Sequence, residues 1–276
     1  MILSFHPCFV ADKNIICAGR SPDADDLAAI KAADAVILPQ GCYKSLYEMA
    51  RGNCANVFPD YDAKFNYPGK IGQIKLFQKK AVAYPKTETF SSTETYFYHY
   101  GEFSGQFPFD LPFVFKFDWG GEGETVYLIK SLEEFQSVLR KAAIYESTGQ
   151  AGFLLQKYIP SQNRTLRVVV IDRKLISYWR VQKSAEAFCS NLSKGAVIDF
   201  DSDPDLQEAA VTSVREFCGK TGINLAGFDI IFSSEAKIIK PLFLEINYFF
   251  GRKGLGGSEK YYELLIPEIR AWIKSL

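Results

Sequence analysis

The chain has 276 residues, 47% of them apolar, with 32 basic residues against 32 acidic ones. That length and composition suit one large globular domain or two modest ones with a real core; the zero formal charge argues against a nucleic-acid surface, which ordinarily needs a basic excess, and no apolar run is long enough to span a bilayer. Six cysteines (Cys8, Cys17, Cys42, Cys54, Cys189, Cys218) without a C-x-x-C spacing argue against a zinc site, and having only His6 and His99 argues against Ser–His catalysis or His-ligated metal.

The start, Met1 to His6, lacks the basic-then-apolar pattern of a signal peptide. Scattered cysteines without that pattern point to a reducing cytoplasm. The first sixty residues alternate short strands and helices. Ile15-Ile16-Cys17 and Ala35-Val36-Ile37-Leu38 read as buried strands, and Ser21-Pro22 opens a helix over Asp23 to Ala33, with proline in the favoured first turn. A second helix is expected from Tyr43 to Arg51, then a strand near Asn56-Val57-Phe58. The alternation predicts a small parallel α/β layer. Without a Gly-x-Gly-x-x-Gly it gives little support to a dinucleotide site. Pro59 to Pro68 is turn-rich and marks a boundary; Lys70 to Lys80 reads as a helix ending before Tyr84-Pro85. From 85 to 112 a short strand and a helix joined by exposed loops are expected.

Pro112 to Phe117 reads as a strand with Lys116 among aromatic residues, followed at once by Gly120, Gly121 and Gly123 and a second strand, Thr125 to Ile129. Glycines let backbone N–H groups approach an anion, and a strand-borne lysine adds fixed positive charge. This hairpin is therefore either a flap over phosphates or a simple turn. Ser131 and Glu134 form a capping box for a helix running to about Tyr145. The strand Phe153 to Ile159 contains Gln156-Lys157-Tyr158, whose backbone could meet an adenine edge; an ordinary core strand is the alternative. Strands Thr165 to Ile171 and Leu175 to Val181 carry Arg167 and Arg180 among Val, Ile and Tyr. Each arginine is either a clamp on phosphate or substrate or the buried partner of a carboxylate. Asn191, in the loop Ser190-Asn191-Leu192, is either a phosphate contact or a turn residue. A helix from about Asp205 to Lys220 stops at Gly222.

Gly227 to Phe232 then places Asp229 in an apolar strand, and Phe243-Leu244-Glu245-Ile246-Asn247 follows after the polar turn Ser233 to Lys237. Strand residues two apart share a face, so Glu245 and Asn247 project together, with Asp229 beside them if the strands pair. Burying unpaired carboxylates is costly, so such a cluster needs a cation. Hard oxygen donors with no His or Cys suit Mg²⁺ shared with a phosphate; a buried salt bridge to Arg or Lys is the alternative. A glycine-rich stretch, Gly251 to Gly257, and a helix around Pro267 complete the chain.

Taken in order, the strand lysine, glycine flap, linker strand, arginine hairpin, Ser-Asn-Leu loop, helix, Asp strand and Glu-x-Asn strand resemble the ATP-grasp superfamily. Within it the chain looks most like the ligases that add glutamate to ribosomal protein or amino acids to related acceptors. The similarity covers roughly residues 66 to 276; residues 1 to 65 match only in their α/β character. It implies an α/β chain with the ATP-grasp fold of α+β subdomains behind a short N-terminal Rossmann-like domain. The implied boundaries are 1–65 and 66–276, with a lid subdomain at about 86–155 and a metal-bearing C-terminal subdomain at 156–276.

The resemblance also implies roles. Lys116 would bind ATP phosphates under the flap of Gly120, Gly121 and Gly123. Gln156, Lys157 and Tyr158 would border the adenine, Lys157 and Tyr158 through their backbone, and Asn191 would lie near the phosphates. Asp229, Glu245 and Asn247 would hold two Mg²⁺ ions, with Mn²⁺ as a substitute. Arg167, Arg180, Arg252 and Lys253 are candidates for binding a substrate carboxylate or stabilising an acyl phosphate. The chain departs from the pattern at Lys157, where an acid is usual, at Thr165, where an acid often meets the ribose, and at Tyr248-Phe249-Phe250, where small residues or proline are commoner.

The implied reaction is ATP- and Mg²⁺-dependent carboxylate–amine ligation through an acyl phosphate. It needs no covalent nucleophile, because positioning and charge neutralisation do the work. The implied partners are a small-molecule or peptide carboxylate and an amine acceptor, with no nucleic acid or membrane; similar ligases are commonly dimers or tetramers, so a homo-oligomer is compatible. A kinase that phosphorylates a small molecule and a nucleotide-binding module without turnover stay open as rivals. Gln40-Gly41-Cys42-Tyr43-Lys44 could face the active site from the N-terminal layer.

Overall fold

The computed structural model describes all residues except 18, 102–106, 122, 184–194 and 235–238. Its N-terminal layer is a sheet of four very short strands, β1 (Ile2–Ser4), β2 (Lys13–Asn14), β3 (Ala35–Ile37) and β4 (Val57–Phe58), in the order β2-β1-β3-β4. All its pairings are parallel, as the strand–helix alternation predicts. The strand expected at 15–17 lies two residues earlier. The Ile15 N–H still donates to the Ser4 carbonyl at 2.9 Å, but β1 ends at Ser4 and Ile16 is left exposed without a ladder partner.

Helix α1 (Ala24–Lys31) starts at Asp23, whose carboxylate accepts from the N–H groups of Asp25 and Asp26 while Asp26 bonds back to the Asp23 N–H. Helix α2 (Lys44–Asn53) follows β3. A five-residue helix, α3 (Asp62–Asn66), occupies the stretch that reads as turn, and α4 (Gly69–Lys79) leads out of the layer.

The second sheet is antiparallel and contains β5 (Thr87–Phe90), β6 (Phe113–Phe117), β7 (Val126–Ile129) and β8 (Phe153–Lys157), in the order β5-β8-β6-β7. Helices α5 (Thr93–Tyr100) and α6 (Leu132–Ser147) cover it. Ser131 caps α6 by accepting the Glu134 N–H at 3.2 Å, and Glu134 accepts from Lys130, one residue upstream of the expected box. This unit has its own aromatic core of Phe90, Tyr96, Phe113, Phe115, Phe117, Phe135 and Phe153.

The third sheet contains β9 (Arg164–Ile171), β10 (Lys174–Val181), β11 (Val197–Asp199), β12 (Leu225–Ile231) and β13 (Leu242–Asn247), in the order β11-β10-β9-β12-β13, antiparallel throughout. Helices α7 (Pro204–Thr221) and α8 (Ser258–Lys274) belong to it. The N-terminal layer shares its core with this sheet. Leu3, Val36, Tyr61 and Phe77 join Leu166, Val168, Phe217 and Phe243 in one cluster, and Ile37 and Phe58 join Tyr178, Tyr261 and Leu265 in another. Among the described residues no helix is long and apolar enough to cross a membrane.

Candidate active site

A cleft opens between the second and third sheets, and most of the polar groups expected from sequence line it: Lys116, Gly121, Gly123, Gln156, Lys157, Tyr158, Arg180, Asp229 and Glu245. On the lid side, Lys116 is half-buried near the end of β6. The turn beyond it is closed by Gly120 at φ +79°, where a Cβ would lie 2.4 Å from Thr125 Cγ2. Only glycine fits that turn.

The Gly120 and Trp119 carbonyls accept hydrogen bonds from Lys70 Nζ at 2.9 and 3.1 Å. Lys70 also lines the cleft and is buried. It was not marked by the sequence as a site residue. Its position follows from Asp118, at the end of β6, whose carboxylate accepts the Ile71 N–H at 2.6 Å and so ties the first turn of α4 to the lid. Burial pushes the Lys70 ammonium down from its ordinary pKa, while Glu245 and Asp118 act in the opposite direction.

At the end of β8, buried Gln156 donates through Nε2 to Thr87 Oγ1 at 2.9 Å. The Lys157 N–H donates to the Lys86 carbonyl at 2.8 Å, so that donor is committed to the sheet rather than open to a base, and the Lys157 side chain is exposed.

On the opposite wall, β12 and β13 pair with Asp229 directly across from Glu245 and Gly227 across from Asn247. On its other side β12 pairs with β9, which sets Arg167 opposite Asp229. Arg167 donates from Nε to Asp229 Oδ1 at 2.6 Å and from Nη2 to Oδ2 at 3.1 Å. Arg180 Nη2 lies 2.6 Å from Oδ1 and donates to Thr165 Oγ1 at 3.0 Å, and Asn247 Nδ2 donates to Oδ2 at 3.2 Å. Gly227 makes room for this net, since a Cβ there would lie 2.9 Å from Arg167 Nη1.

Of the two roles the sequence leaves open for these arginines, both serve as partners of a buried carboxylate. Arg180 additionally lines the cleft, and its buried Nε has no hydrogen-bond partner among the described residues. Burial alone would raise the Asp229 pKa; the Arg167 and Arg180 guanidiniums outweigh it and hold the carboxyl at about 2. Glu245 moves the other way: burial and the charge of Asp229 raise its pKa, against the pull of Lys70, Lys116 and Arg167.

The remaining candidates lie apart or outside view. Arg252 stacks over the rings of Tyr261 and Tyr262 at 4.5 and 4.7 Å and donates to Ser258 Oγ at 3.3 Å, away from the cleft lining. Lys253 is exposed at the start of a 3₁₀ turn. Asn191 falls outside the described residues. Among the described residues no three His, Cys, Asp or Glu side chains converge as a metal cluster. The candidate donors are two carboxylates and one carboxamide, hard oxygens of the kind Mg²⁺ prefers. Four cations, Lys70, Lys116, Arg167 and Arg180, surround those two carboxylates. Such a site carries net positive charge and favours an anionic ligand before any further cation.

The sequence matches the family described as the RimK-like ATP-grasp domain over residues 69–267. A search among curated proteins finds no match. Among solved structures, the chain is similar to a RimK domain protein ATP-grasp from Sphaerobacter thermophilus, with 12% identity, a TM-score of 0.57, and coverage of 97% of this chain and 99% of that one. It is also similar to the VanG D-Ala:D-Ser ligase from Enterococcus faecalis, at 14% identity, a TM-score of 0.63, and coverage of 87% and 73%. A third similar structure is an ADP complex of N5-carboxyaminoimidazole ribonucleotide synthetase, at 12% identity and a TM-score of 0.59. That match covers 89% of this chain, which spans 62% of the synthetase. At these identities the likeness concerns the fold.

Proposed function

The chain belongs to the RimK-like ATP-grasp family, and from that membership we propose that it is an ADP-forming ligase joining a carboxylate to an amine through an acyl phosphate. The observation that carries the reading is the cleft itself, where lysines from α4 and β6, the lid glycines, the end of β8 and two carboxylates from paired strands converge. Each group suits one part of a nucleotide. The apolar stretch between Val114, Ile159 and Leu244 takes a base, whose edge meets linker groups beyond the committed Lys157 N–H. Lys70 and Lys116 neutralise and orient the triphosphate, with Gly121 and Gly123 lining the cleft beside them.

Asp229, Glu245 and Asn247 are the residues that would hold Mg²⁺, which supplies charge neutralisation on the transferring phosphoryl group. Because Asp229 is already shared by two guanidiniums, cation binding at this wall requires the nucleotide's negative charge. Arg180, which lines the cleft, orients the transferring phosphoryl toward the substrate carboxylate and then holds the acyl phosphate for the amine. None of these steps calls for a covalent nucleophile on the chain.

A second reading, a nucleotide-binding module without turnover, is favoured by the double engagement of Asp229 and by Lys157 and Thr165 at positions where acids are usual. ADP and phosphate release separates the two. Wild-type protein incubated with ATP, Mg²⁺ and a matrix of acids and amines is expected to release both only with a matched pair, and Glu245→Ala is expected to release neither. Nucleotide binding without release for any pair would select the module.

A further inference from the structure

Strand β13 carries Glu245 and Asn247 and ends the third sheet, with only β12 beside it. Its pairing there is short. The register shifts between Asp229 and Ile230, which leaves Leu244 as an extra residue on β13 immediately before Glu245. A bulge bends its strand and re-aims the side chains next to it. Past the bulge only Glu245, Ile246 and Asn247 stay in register with β12. Among the described residues no hydrogen bond holds the Glu245 carboxylate, so its direction is set by its backbone.

An edge strand presents N–H and C=O groups along its open side, and here a side chain takes them. Gln73, half-buried on α4, accepts the Ile246 N–H on Oε1 at 2.8 Å and donates from Nε2 to the Ile246 carbonyl at 2.9 Å. The carboxamide stands where the peptide group of a further strand would. The two groups it grips belong to the peptide units on either side of Ile246, one attached to the Cα of Glu245 and the other to the Cα of Asn247.

The helix that presents Gln73 is itself fixed. Phe77, one turn further on, packs on Phe243 of β13 with ring centroids 5.6 Å apart, and Asp118 accepts the Ile71 N–H at 2.6 Å. Lys70, three residues before Gln73 and so on the same side of α4, reaches the Trp119 and Gly120 carbonyls. One helix therefore touches both walls of the cleft, with a cation toward the lid and an amide toward β13.

We infer that Gln73 is a positioning residue for the metal. It does not line the cleft; through the backbone of Ile246 it sets Glu245 and Asn247 in the directions from which they hold Mg²⁺. The assignment rests on the ligase reading above. Partners that orient metal-binding groups typically govern metal affinity by about 10–100-fold.

The test is a thermal-shift titration of Mg²⁺ at a fixed concentration of a non-hydrolysable ATP analogue, on wild type, Gln73→Leu and Gln73→Asn. Gln73→Leu removes both bonds to Ile246. Gln73→Asn keeps an amide one methylene short of them, and serves if the apolar variant does not fold. The analogue's shift without Mg²⁺, which reads Lys70 and Lys116, is expected to be the same in all three proteins. The Mg²⁺ concentration that gives half of the further shift is expected to rise at least about tenfold in both variants. An unchanged Mg²⁺ midpoint in either folded variant overturns the assignment. So does a parallel loss of the Mg²⁺-free shift, which would make Gln73 a general support of the cleft. A wild type that shows no shift, or whose shift ignores Mg²⁺, instead overturns the ligase reading, and the assignment with it.

Discussion

The two sheets that face the cleft are held together by different forces. The lid sheet rests on aromatic packing, with Phe115 and Phe153 stacked at 4.8 Å and Tyr96 edge-on to Phe135 at 5.4 Å. Its contribution to the cleft is backbone and cations, and Lys70 is held there by carbonyl oxygens. The third sheet instead buries charges that are one another's partners: Arg167, Arg180 and Asp229. Carbonyl contacts are readily exchanged for phosphate oxygens, whereas a buried ion pair breaks only if something replaces the lost partner. On the function proposed above, the second sheet is the side that receives the nucleotide, and the third sheet holds fixed geometry.

The largest effect should come from breaking the ionic wall. Asp229→Ala leaves two buried guanidiniums unpaired and should cost about 3–5 kcal/mol, on the order of 10 °C in Tm for a chain of this size, as measured by denaturant and thermal melts. The pH dependence follows in sign. The Asp229 pKa falls from 3.8 to about 2 on folding, so its stabilisation is present above 3.8 and is lost as pH drops through that window. The variant should lack this loss.

Lys116→Ala should show the opposite behaviour. The free protein should melt within about 0.5 kcal/mol of wild type, yet the stabilisation by nucleotide, about 2.7 kcal/mol at one hundred times Kd, should disappear. A variant that melts early without ligand would mean that the lid charge is structural after all. Gly227→Ala should be intermediate. The added methyl crowds Arg167 and Phe250, at about 1–3 kcal/mol, and a melt that matches wild type would show that the net yields without strain.

The smallest effect is expected at Glu245. Its pKa is raised in the fold, so its favourable contribution is present below the ordinary carboxylate range and is lost as pH rises through the raised value. Glu245→Gln should therefore melt slightly later than wild type at neutral pH in the absence of ligand, and the difference should vanish in acid.

What the sequence reveals depends on the length of the pattern. Glu245 and Asn247 are legible because period two in an apolar strand puts both on one face, and Asp229 because one polar turn separates the strands. Lys116 is legible from the glycines that follow it. The choice between clamp and partner at Arg167 is invisible in its own strand; it is decided by the pairing of β9 with β12, 62 residues apart in sequence. Lys70 reads as an ordinary charge in a helix's first turn, because its partners are carbonyls 49 and 50 residues away. Strands of two or three residues, such as β1, β2 and β11, carry no periodicity at all.

The most direct measurement is a thermal-shift titration of wild type and Glu245→Ala with ATP, ADP and GTP, each with and without Mg²⁺. A cleft that binds nucleotide through its cations and Mg²⁺ through its carboxylates predicts a Mg²⁺-dependent ATP shift in wild type that is lost in Glu245→Ala. No shift with any nucleotide, or an identical shift in both proteins with and without Mg²⁺, would contradict it.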